Sequence, residues 1–324
     1  KEAVSAMTQL GIINGYEDGT FLPKQVVTRA EMCKMICVAL NGGIAPVLDT
    51  GTAVFSDTKG HWASAYINYC FAKGIVSGDS GKGGPFRPDA TVTALEAAKM
   101  MLVALGYNAQ IAGFTGPDWA QNVAIAANEK NLFDGIGALN VTAGLSRDNA
   151  AQLIYNGLFA GMVKYENVLT TDANGNLVST PRMVDDTTTG GAVKTILSDK
   201  FKVSTDYGQL VAIGKETVKI KLDSNLGKSA STGDGGYQTY TKVGTDYTAL
   251  LGQSVKVMFK STEKVLGVVP LSKNTVVSTN ERSVTMVSAT KVKFGGTEYT
   301  LDVNASDQIE VLTITANGAV LSSQ

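Results

Sequence analysis

The sequence predicts an α + β multidomain protein, with a mainly helical N-terminal half and a C-terminal half that forms an antiparallel β barrel or sandwich. Segments with the hydrophobic period of a helix recur through residues 1–164, whereas short runs rich in Val, Thr and Ile fill residues 165–324. A chain of 324 residues with 44% hydrophobic content can form about two packed domains. We therefore expect separate helical and β-rich parts.

The helical half contains internal repeats. The segment FLPKQVVTRAEMCKMI (21–36) recurs as FRPDATVTALEAAKMM (86–101), and LGIINGY (10–16) recurs in shorter form as KGIVSG (73–78). Repeats of this kind indicate structural units that pack against one another. Each unit has the pattern of a helix, a turn-rich loop and a second helix.

A third, weaker copy completes the array. DWAQNVAIAANEKNLFDG (118–135) follows the pattern of HWASAYINYCFAKGIVSG (61–78), and the copy resumes with GLSRDNAAQLIYNGL (144–158). We therefore expect three units and one β-rich domain of one or two subdomains. Their predicted bounds are 1–46, 47–108, 109–164 and 165–324.

The second helix of each unit has a predicted N-cap. Two units carry a capping box, in which a Thr is followed three residues later by a Glu, and the third unit retains only a Ser cap. The pairs are Thr28 with Glu31, Thr93 with Glu96, and Ser146 with Asn149. Such a helix start offers unpaired amide donors and a favourable dipole.

Four short motifs resemble the S-layer homology motif. They are GIINGYEDGTFLP (11–23), TRAE (28–31), FSD (55–57) and GHWA (60–63). The resemblance extends to about residue 164, and it implies a pseudo-threefold, mainly helical module. Such modules hold secreted proteins non-covalently on secondary polysaccharides of the bacterial cell wall, often ones with pyruvylated amino sugars. The first unit lacks the beginning of the motif, and we take Lys1 to be a processed or cloned boundary.

The resemblance also implies grooves between adjacent units, in which the arginine of TRAE faces the anionic ligand. Arg29 matches this arginine and Arg147 matches it in an altered frame, but the second unit has Ala94 there. We therefore expect at most two competent grooves. The polysaccharide-binding residues that the resemblance implies are Arg29, Glu31, Gly15, Trp62, Gly78, Trp119 and Arg147.

Several of these residues also have a purely structural interpretation. Trp62 and Trp119 could be wedges in the hydrophobic core, since large aromatic side chains dominate core packing. Gly15 and Gly78 could serve the backbone alone, and Gly15 could adopt a positive φ. Asp57 is expected to cap a helix.

No catalytic residue, structural metal or cofactor is predicted. The single histidine, His61, leaves no partner for a zinc site, and we expect Cys33, Cys37 and Cys70 in the core. Asp18 and Asp79 lie in Gly-rich loops that could bind calcium, although neither loop has the ligand spacing of an EF-hand.

The C-terminal half has the pattern of an antiparallel β region. Its predicted strands lie within 216–222, 253–259, 264–271, 283–289, 291–301 and 308–321. Gly295–Gly296 and Asn317–Gly318 are hairpin signals, and residues 225–246 have the composition of a long loop. This half carries no catalytic motif, so we expect a non-enzymatic, structural or lattice-forming domain.

The expected partners are cell-wall polysaccharide and further copies of the chain in a surface lattice. We expect an extracellular location, at the bacterial cell wall or in an S-layer. The net charge of −1 argues against nucleic acid, and no apolar run reaches the ~18 residues that span a bilayer. Two alternatives remain open: an exported, wall-anchored hydrolase whose catalytic domain lies outside this chain, and a self-assembling surface filament.

Overall fold

The structure is a computed structural model, and it confirms the α + β class. It describes residues 2–16, 19–47, 51–79, 82–137, 139–274, 285–288, 290–294, 296–300, 310–315 and 318–323. The chain divides into two compact units, one formed by Ala3–Ser204 and one by Thr205–Gln324 together with Lys1–Glu2. The predicted boundaries after residues 46, 108 and 164 stay predictions.

Six helices precede the first strand in the described part of the chain. They are α1 (Glu2–Gln9), α2 (Arg29–Leu40), α3 (Ser64–Ala72), α4 (Ala94–Ala104), α5 (Trp119–Glu129) and α6 (Arg147–Phe159). Helices α2, α4 and α6 begin at the predicted caps. Thr28 and Thr93 both form complete capping boxes, and Ser146 caps α6 through its side chain alone.

The three segments that lead into α2, α4 and α6 form a closed ring of backbone hydrogen bonds. The N–H of Val27 donates to the carbonyl of Leu145 (2.8 Å), that of Leu145 to Val92 (2.8 Å), and that of Val92 to Val27 (3.0 Å). All three side chains are buried. Because each N-cap follows its ring residue directly, the ring fixes the three helix starts relative to one another.

The cysteines lie in the helical core, as predicted. Cys33, Cys37 and Cys70 are all buried and free. Burial and the neighbouring Cys33 raise the pKa of Cys37 to about 12. Because the thiolate is the reactive form, burial makes the Cys37 thiol less reactive than a free cysteine.

A β-hairpin follows α6 within the same unit, and the sequence did not predict it. Its strands are β1 (Val163–Thr171) and β2 (Leu177–Asp185), paired antiparallel from end to end. The turn is stabilised by Asp172, whose Oδ1 accepts the N–H groups of Asn174 and Asn176, both at 2.9 Å.

The compact unit formed by Thr205–Gln324 together with Lys1–Glu2 is called the β-rich unit, and it is built from antiparallel strands. They are β3 (Ser204–Gly214), β4 (Thr217–Leu222), β5 (Tyr237–Thr241), β6 (Ser254–Ser261), β7 (Lys264–Pro270), β8 (Thr285–Ser288), β9 (Lys291–Phe294), β10 (Thr297–Thr300), β11 (Glu310–Thr315) and β12 (Gly318–Ser323). Seven form a sheet in the order β11-β12-β3-β4-β5, in which β6 also pairs with β3 and β7 pairs with β6. Strands β8, β9 and β10 form a separate sheet.

Antiparallel pairing is therefore confirmed, but the described strands do not close into a barrel, and that part of the prediction is wrong. The long strand β3 pairs with β12, β4 and β6, so the sheet branches there instead of continuing around an axis. The predicted sandwich is not tested by these contacts and stays a prediction.

Two further predictions for this unit have different outcomes. The segment 225–246 is not a loop throughout, because β5 (Tyr237–Thr241) lies within it and pairs with β4. Gly295 and Asn317 lie outside the described residues, so the two hairpin turns stay predictions.

A wholly buried carboxylate joins β3 to β5 in the β-rich unit. Asp206 accepts the N–H groups of Ala230 and Ser231, both at 2.8 Å, and the hydroxyl of Tyr240. Burial and the Asp206 carboxylate raise the pKa of Tyr240 well above its ordinary value. Tyr240 also packs in the main apolar cluster of this unit, with Leu210 and Ile220.

Candidate functional site

The predicted site residues fall into two separate grooves of the helical unit. One groove, of about 310 Å³, is called the Arg29 groove, and the other, of about 370 Å³, is called the Arg147 groove. The first is lined by Arg29, Gly78 and Trp119, and the second by Gly15, Glu31, Trp62 and Arg147. Thus Arg29 and Glu31, two residues apart on α2, serve different grooves.

The Arg29 side chain joins the start of α2 to the loop of the second unit. Its Nε–H donates to the carbonyl of Phe86 (3.0 Å), and one Nη lies 3.5 Å from the carbonyl of Ser77. The other Nη lies 3.4 Å from Glu96 Oε1. The guanidinium also stacks 4.5 Å from the centre of the Phe86 ring, and the side chain is only 12% exposed.

Arg147 repeats this arrangement against the first unit. Its Nε–H donates to the carbonyl of Phe21 (3.0 Å), and one Nη donates to the carbonyl of Asn14 (3.3 Å). Its other Nη lies 3.7 Å from Glu31 Oε1. Ring contacts complete the match, with Tyr16 at 4.7 Å and Phe21 at 5.1 Å.

The expectation of unpaired amides at these helix starts is wrong. In α2, the N–H of Arg29 donates to the carbonyl of Ala90 (2.9 Å) and that of Ala30 to Pro88 (3.0 Å). The first amides of α6 are paired in the same way with carbonyls of the first unit. The loops that form the grooves therefore use these donors, and any attraction for an anion must come from side chains.

Two lysines supply that charge. Neither is among the binding residues that the sequence resemblance implied. Lys34 lies over the Trp62 ring in the Arg147 groove, with Nζ 5.8 Å from its centre, and Lys99 lies over Trp119 in the Arg29 groove at 5.6 Å. Each arginine has a glutamate beside it, so the lysine gives each groove its surplus positive charge. The available signal was the recurrence of Lys at the same position of the first two repeats.

Lys99 has an unusual environment among these cations. Burial lowers its pKa, and the positive charge of Arg29 lowers it further, although Glu96 opposes both effects. Lys99 therefore loses its proton at a lower pH than an ordinary lysine does.

The third interface, between the second and third repeats, lacks this set of charges. Where the grooves have Arg, Glu and Lys, the repeat alignment gives Ala94, Asn149 and Gln152. An unpaired glutamate in a half-buried groove would be costly, so the loss of the arginine explains the loss of the glutamate as well. Each of the three interfaces therefore has either all three charged residues or none of them.

The tryptophans and glycines lie at the groove walls. Trp62 is 56% exposed, which is not the burial of a core wedge, whereas Trp119 is half-buried. Gly15 is not at positive φ, so that expectation is wrong. Its requirement is steric, because a Cβ there would lie 2.9 Å from the carbonyl oxygen of Thr20.

Asp57 does not cap a helix, contrary to expectation. Its carboxylate accepts the N–H groups of Phe86 (2.8 Å) and Arg87 (2.7 Å). Burial raises the pKa of Asp57, but these two hydrogen bonds outweigh it and hold the pKa below the ordinary value. Asp57 therefore stabilises the loop that carries the Phe86 carbonyl, on which Arg29 is anchored.

Tyr16 contributes an unpaired hydroxyl to the wall of the Arg147 groove. In the described part of the chain, it is the one buried side-chain oxygen or nitrogen without a hydrogen-bond partner. Buried polar atoms normally have a partner, so a water or ligand hydroxyl at this position would complete the site.

The calcium prediction remains open. Asp79 makes a two-point ion pair with Arg87, and Asp18 lies outside the described residues. Within the described ranges, no cluster of three or more His, Cys, Asp or Glu side chains could hold a metal ion. The same ranges contain no helix that is long and apolar enough to cross a membrane.

Comparison with known proteins identifies the helical part. Residues 1–33 and 54–98 match the family model of the S-layer homology domain. These matched segments lie in the first two repeats, where the short motifs resemble the same family. The third repeat lies outside the matched segments.

Several relatives share this part of the chain. The cellulosome-anchoring protein of Acetivibrio thermocellus is 34% identical over 101 residues, which are 31% of this chain and 22% of that protein. The surface layer protein of Brevibacillus choshinensis is 28% identical over 142 residues, 44% of this chain and 12% of that protein. An amylopullulanase of Thermoanaerobacterium thermosulfurigenes is 30% identical over 168 residues, 48% of this chain and 9% of that protein.

The family and the relatives indicate a cell-surface protein, located outside the cell at the cell wall or in an S-layer. One of these relatives is itself named as an anchoring protein. The matches span less than a quarter of the length of each of these three relatives.

Proposed function

We propose that the helical unit anchors a secreted surface protein non-covalently on secondary cell-wall polysaccharide, and that the Arg29 and Arg147 grooves bind the polymer. The observation that carries this proposal is the repeated set of Arg, Glu and Lys beside a Trp, which two interfaces have and the third lacks. A purely structural role accounts for the joint absence of the arginine and the glutamate, which form an ion pair, but gives no reason for the lysine to be absent with them.

The chemistry of the grooves favours an acidic sugar. Each lysine ammonium faces the groove with a surplus charge that a carboxylate would neutralise, and each indole offers a flat face for the apolar side of a sugar ring. A pyruvylated amino sugar, which carries a carboxylate on a pyranose ring, has both features. We therefore propose this class of ligand.

The arginines act mainly by positioning. Each guanidinium joins a helix start to two loop carbonyls and to a glutamate, which fixes the loops that carry Gly15 and Gly78. Thus the arginine holds the site in shape, and the lysine makes the main charge contact.

We propose further that the ring of Val27, Val92 and Leu145 is the centre of a pseudo-threefold module. The ring supports this arrangement because each unit donates one hydrogen bond to the next. The third interface would then be a packing contact without a binding groove.

Co-sedimentation tests the anchoring role. The purified chain is mixed with cell walls of the producing bacterium, before and after acid extraction of the secondary polysaccharide. We expect pelleting that disappears after extraction and that is lost in a Lys34→Ala, Lys99→Ala double variant. A matched Gln152→Ala variant, changed at the same position of the third unit, should pellet like the parent. Pelleting that survives extraction would contradict the proposal.

The β-rich unit is proposed to be a structural domain that takes part in a surface lattice through further copies of the chain. The support is compositional, since residues 165–324 contain no His or Cys and no recognisable catalytic motif. Ordered assemblies of the purified chain in electron micrographs, formed without added glycan, would support self-association, and a strictly monomeric chain at all concentrations would oppose it.

One observation favours a second candidate, a wall-anchored exported hydrolase. A relative over 48% of this chain is named as an amylopullulanase, so similar anchoring sequences accompany enzymes. The catalytic domain would then lie outside this chain. Sequencing of the complete reading frame distinguishes the candidates, because further β domains favour the lattice protein and a catalytic domain favours the hydrolase.

A further inference from the structure

A second cavity of about 680 Å³ adjoins the Arg147 groove. Its walls come from the loop before α3 and from the first turn of that helix. Its lining residues include Thr52, Val54, Ser56, Lys59, Trp62 and Ser64. Of the residues proposed to bind ligand in the two grooves, only Trp62 lines this cavity.

Trp62 connects the cavity to the Arg147 groove. Within the described residues, it is the one side chain that lines both spaces, and 56% of it is exposed. Lys34 lies over its ring on the groove side of the lining, and the ring of His61 lies 5.6 Å from it, tilted by 35°. The indole is therefore a surface that a ligand could follow from one space into the other.

The lining of the cavity suits a sugar better than an apolar ligand. The hydroxyls of Ser56 and Ser64 and the ammonium of Lys59 have no intramolecular hydrogen bond among the described residues, and the lining also includes the small side chains of Ala53 and Ala65. His61 is a fixed part of the wall. Its Nδ1 accepts the N–H of Ala63 (3.1 Å), and its Nε2 lies 3.2 Å from Asp89.

Among the described residues, the cavity that shares a lining residue with the Arg29 groove is closed off from it. Phe114 lines both that groove and a cavity of about 300 Å³ beside α5, but it is only 1% exposed. A core aromatic side chain therefore separates these two spaces. The two grooves have equivalent charges but different surroundings.

We propose that the second cavity is a subsite for the sugar units that continue the same polysaccharide chain out of the Arg147 groove and across Trp62. This proposal rests on the proposed function of that groove. It assigns a longer stretch of polymer to the Arg147 groove than to the Arg29 groove. Polymer length then increases affinity at one groove only, because only that groove has a place for the additional units.

The test uses oligosaccharides from the acid-extracted wall polysaccharide, separated by size into single repeating units and longer fragments. A Lys99→Ala background silences the Arg29 groove, so that calorimetry reports the Arg147 groove alone. In this background the longer fragments should bind about tenfold more tightly than the single unit, as one or two additional hydrogen bonds would give.

Ser56→Trp fills the cavity from its exposed rim, and Lys59→Ala removes its charge. Both changes should abolish the advantage of the longer fragments and leave the affinity for the single unit unchanged. Gln121→Trp, at an exposed position of α5 that lines neither space, is the matched control and should keep the advantage.

Three results would overturn the subsite. They are equal affinity for short and long fragments in the background protein, an advantage that persists in both Ser56→Trp and Lys59→Ala, and equal losses for the single unit and the longer fragments in both variants. Failure of every fragment to bind even the unmodified chain would instead contradict the proposed function of the grooves, and the subsite with it.

Discussion

Arg29 is bonded on three sides, and its contacts explain why a lysine could not replace it. A planar guanidinium can donate to the carbonyls of Phe86 and Ser77 and to Glu96 at the same time, whereas an ammonium has no such fork. At the scale of single residues, the grooves therefore separate two tasks. Arginine organises the loops, and lysine supplies the free charge.

Replacement of Arg29 by alanine should destabilise the helical unit. The change leaves two carbonyls and Glu96 without this partner, and the expected loss is about 2–3 kcal/mol of the free energy of unfolding. Denaturant unfolding measures it. Arg87→Ala, which breaks an exposed ion pair on the neighbouring loop, is the control and should have little effect. Equal effects of the two changes would contradict the positioning role.

The lowered pKa of Lys99 predicts a pH-dependent groove. Lysine is charged below its pKa, so affinity for an acidic sugar is present below the lowered pKa of Lys99 and is lost as pH rises through it. Calorimetry in a Lys34→Ala background follows the Arg29 groove alone. Lys99→Arg should move the loss to higher pH, because arginine keeps its charge. An unchanged pH profile in Lys99→Arg would exclude Lys99 as the titrating group.

At the scale of elements, the caps of α2 and α4 locate the groove residues. Thr28→Ala should destabilise the helical unit by about 1 kcal/mol, since the hydroxyl that accepts the Glu31 N–H is lost. Urea unfolding measures the change. Thr28→Ser keeps the hydroxyl and should remain close to the parent protein. If serine and alanine were equally destabilising, the effect would come from packing of the Thr methyl group.

The buried hydrogen bond between Asp206 and Tyr240 should likewise stabilise the β-rich unit. Tyr240→Phe removes one of three donors to a buried carboxylate, and we expect a loss of about 1–3 kcal/mol. The measured quantity is the unfolding transition of that unit, followed by near-UV circular dichroism. Tyr237→Phe, at a more exposed position of the same strand, should leave the transition unchanged.

The elements that the sequence predicted well are those with local signals. Capping boxes at Thr28 and Thr93 predicted helix starts, and β-branched runs predicted most strands of the β-rich unit. The hairpin β1–β2 was missed because nearly all of its side chains are exposed, so burial leaves no period of two. Strand β5 was missed because its Gly-rich surroundings have the composition of a loop.

The sequence predicted some residues of the candidate site, but neither the two lysines nor the grouping of the residues into two grooves. Repeats and the family motif found the arginines and tryptophans one by one. The distribution of Arg29 and Glu31 between two grooves depends on how α2 packs between the first and second units, and a linear motif does not contain that information. The pairing of the α2 amides with Ala90 and Pro88 is likewise a tertiary fact.

At the scale of the whole molecule, three repeats provide two grooves. The ring of Val27, Val92 and Leu145 gives all three units the same backbone frame, so the differences between interfaces come from side chains. Two interfaces keep the charged set, and the third has Ala94, Asn149 and Gln152 in its place. The third interface thus shares the backbone frame of the other two without their charged residues.

Binding stoichiometry tests this account most directly. Titration of the chain with single repeating units of the wall polysaccharide should give two sites. Lys34→Ala and Lys99→Ala should each leave one site, the double variant should leave none, and Gln152→Ala should keep both. A double variant that still bound two ligands, or a Gln152→Ala variant that lost one, would contradict the assignment of binding to the Arg29 and Arg147 grooves.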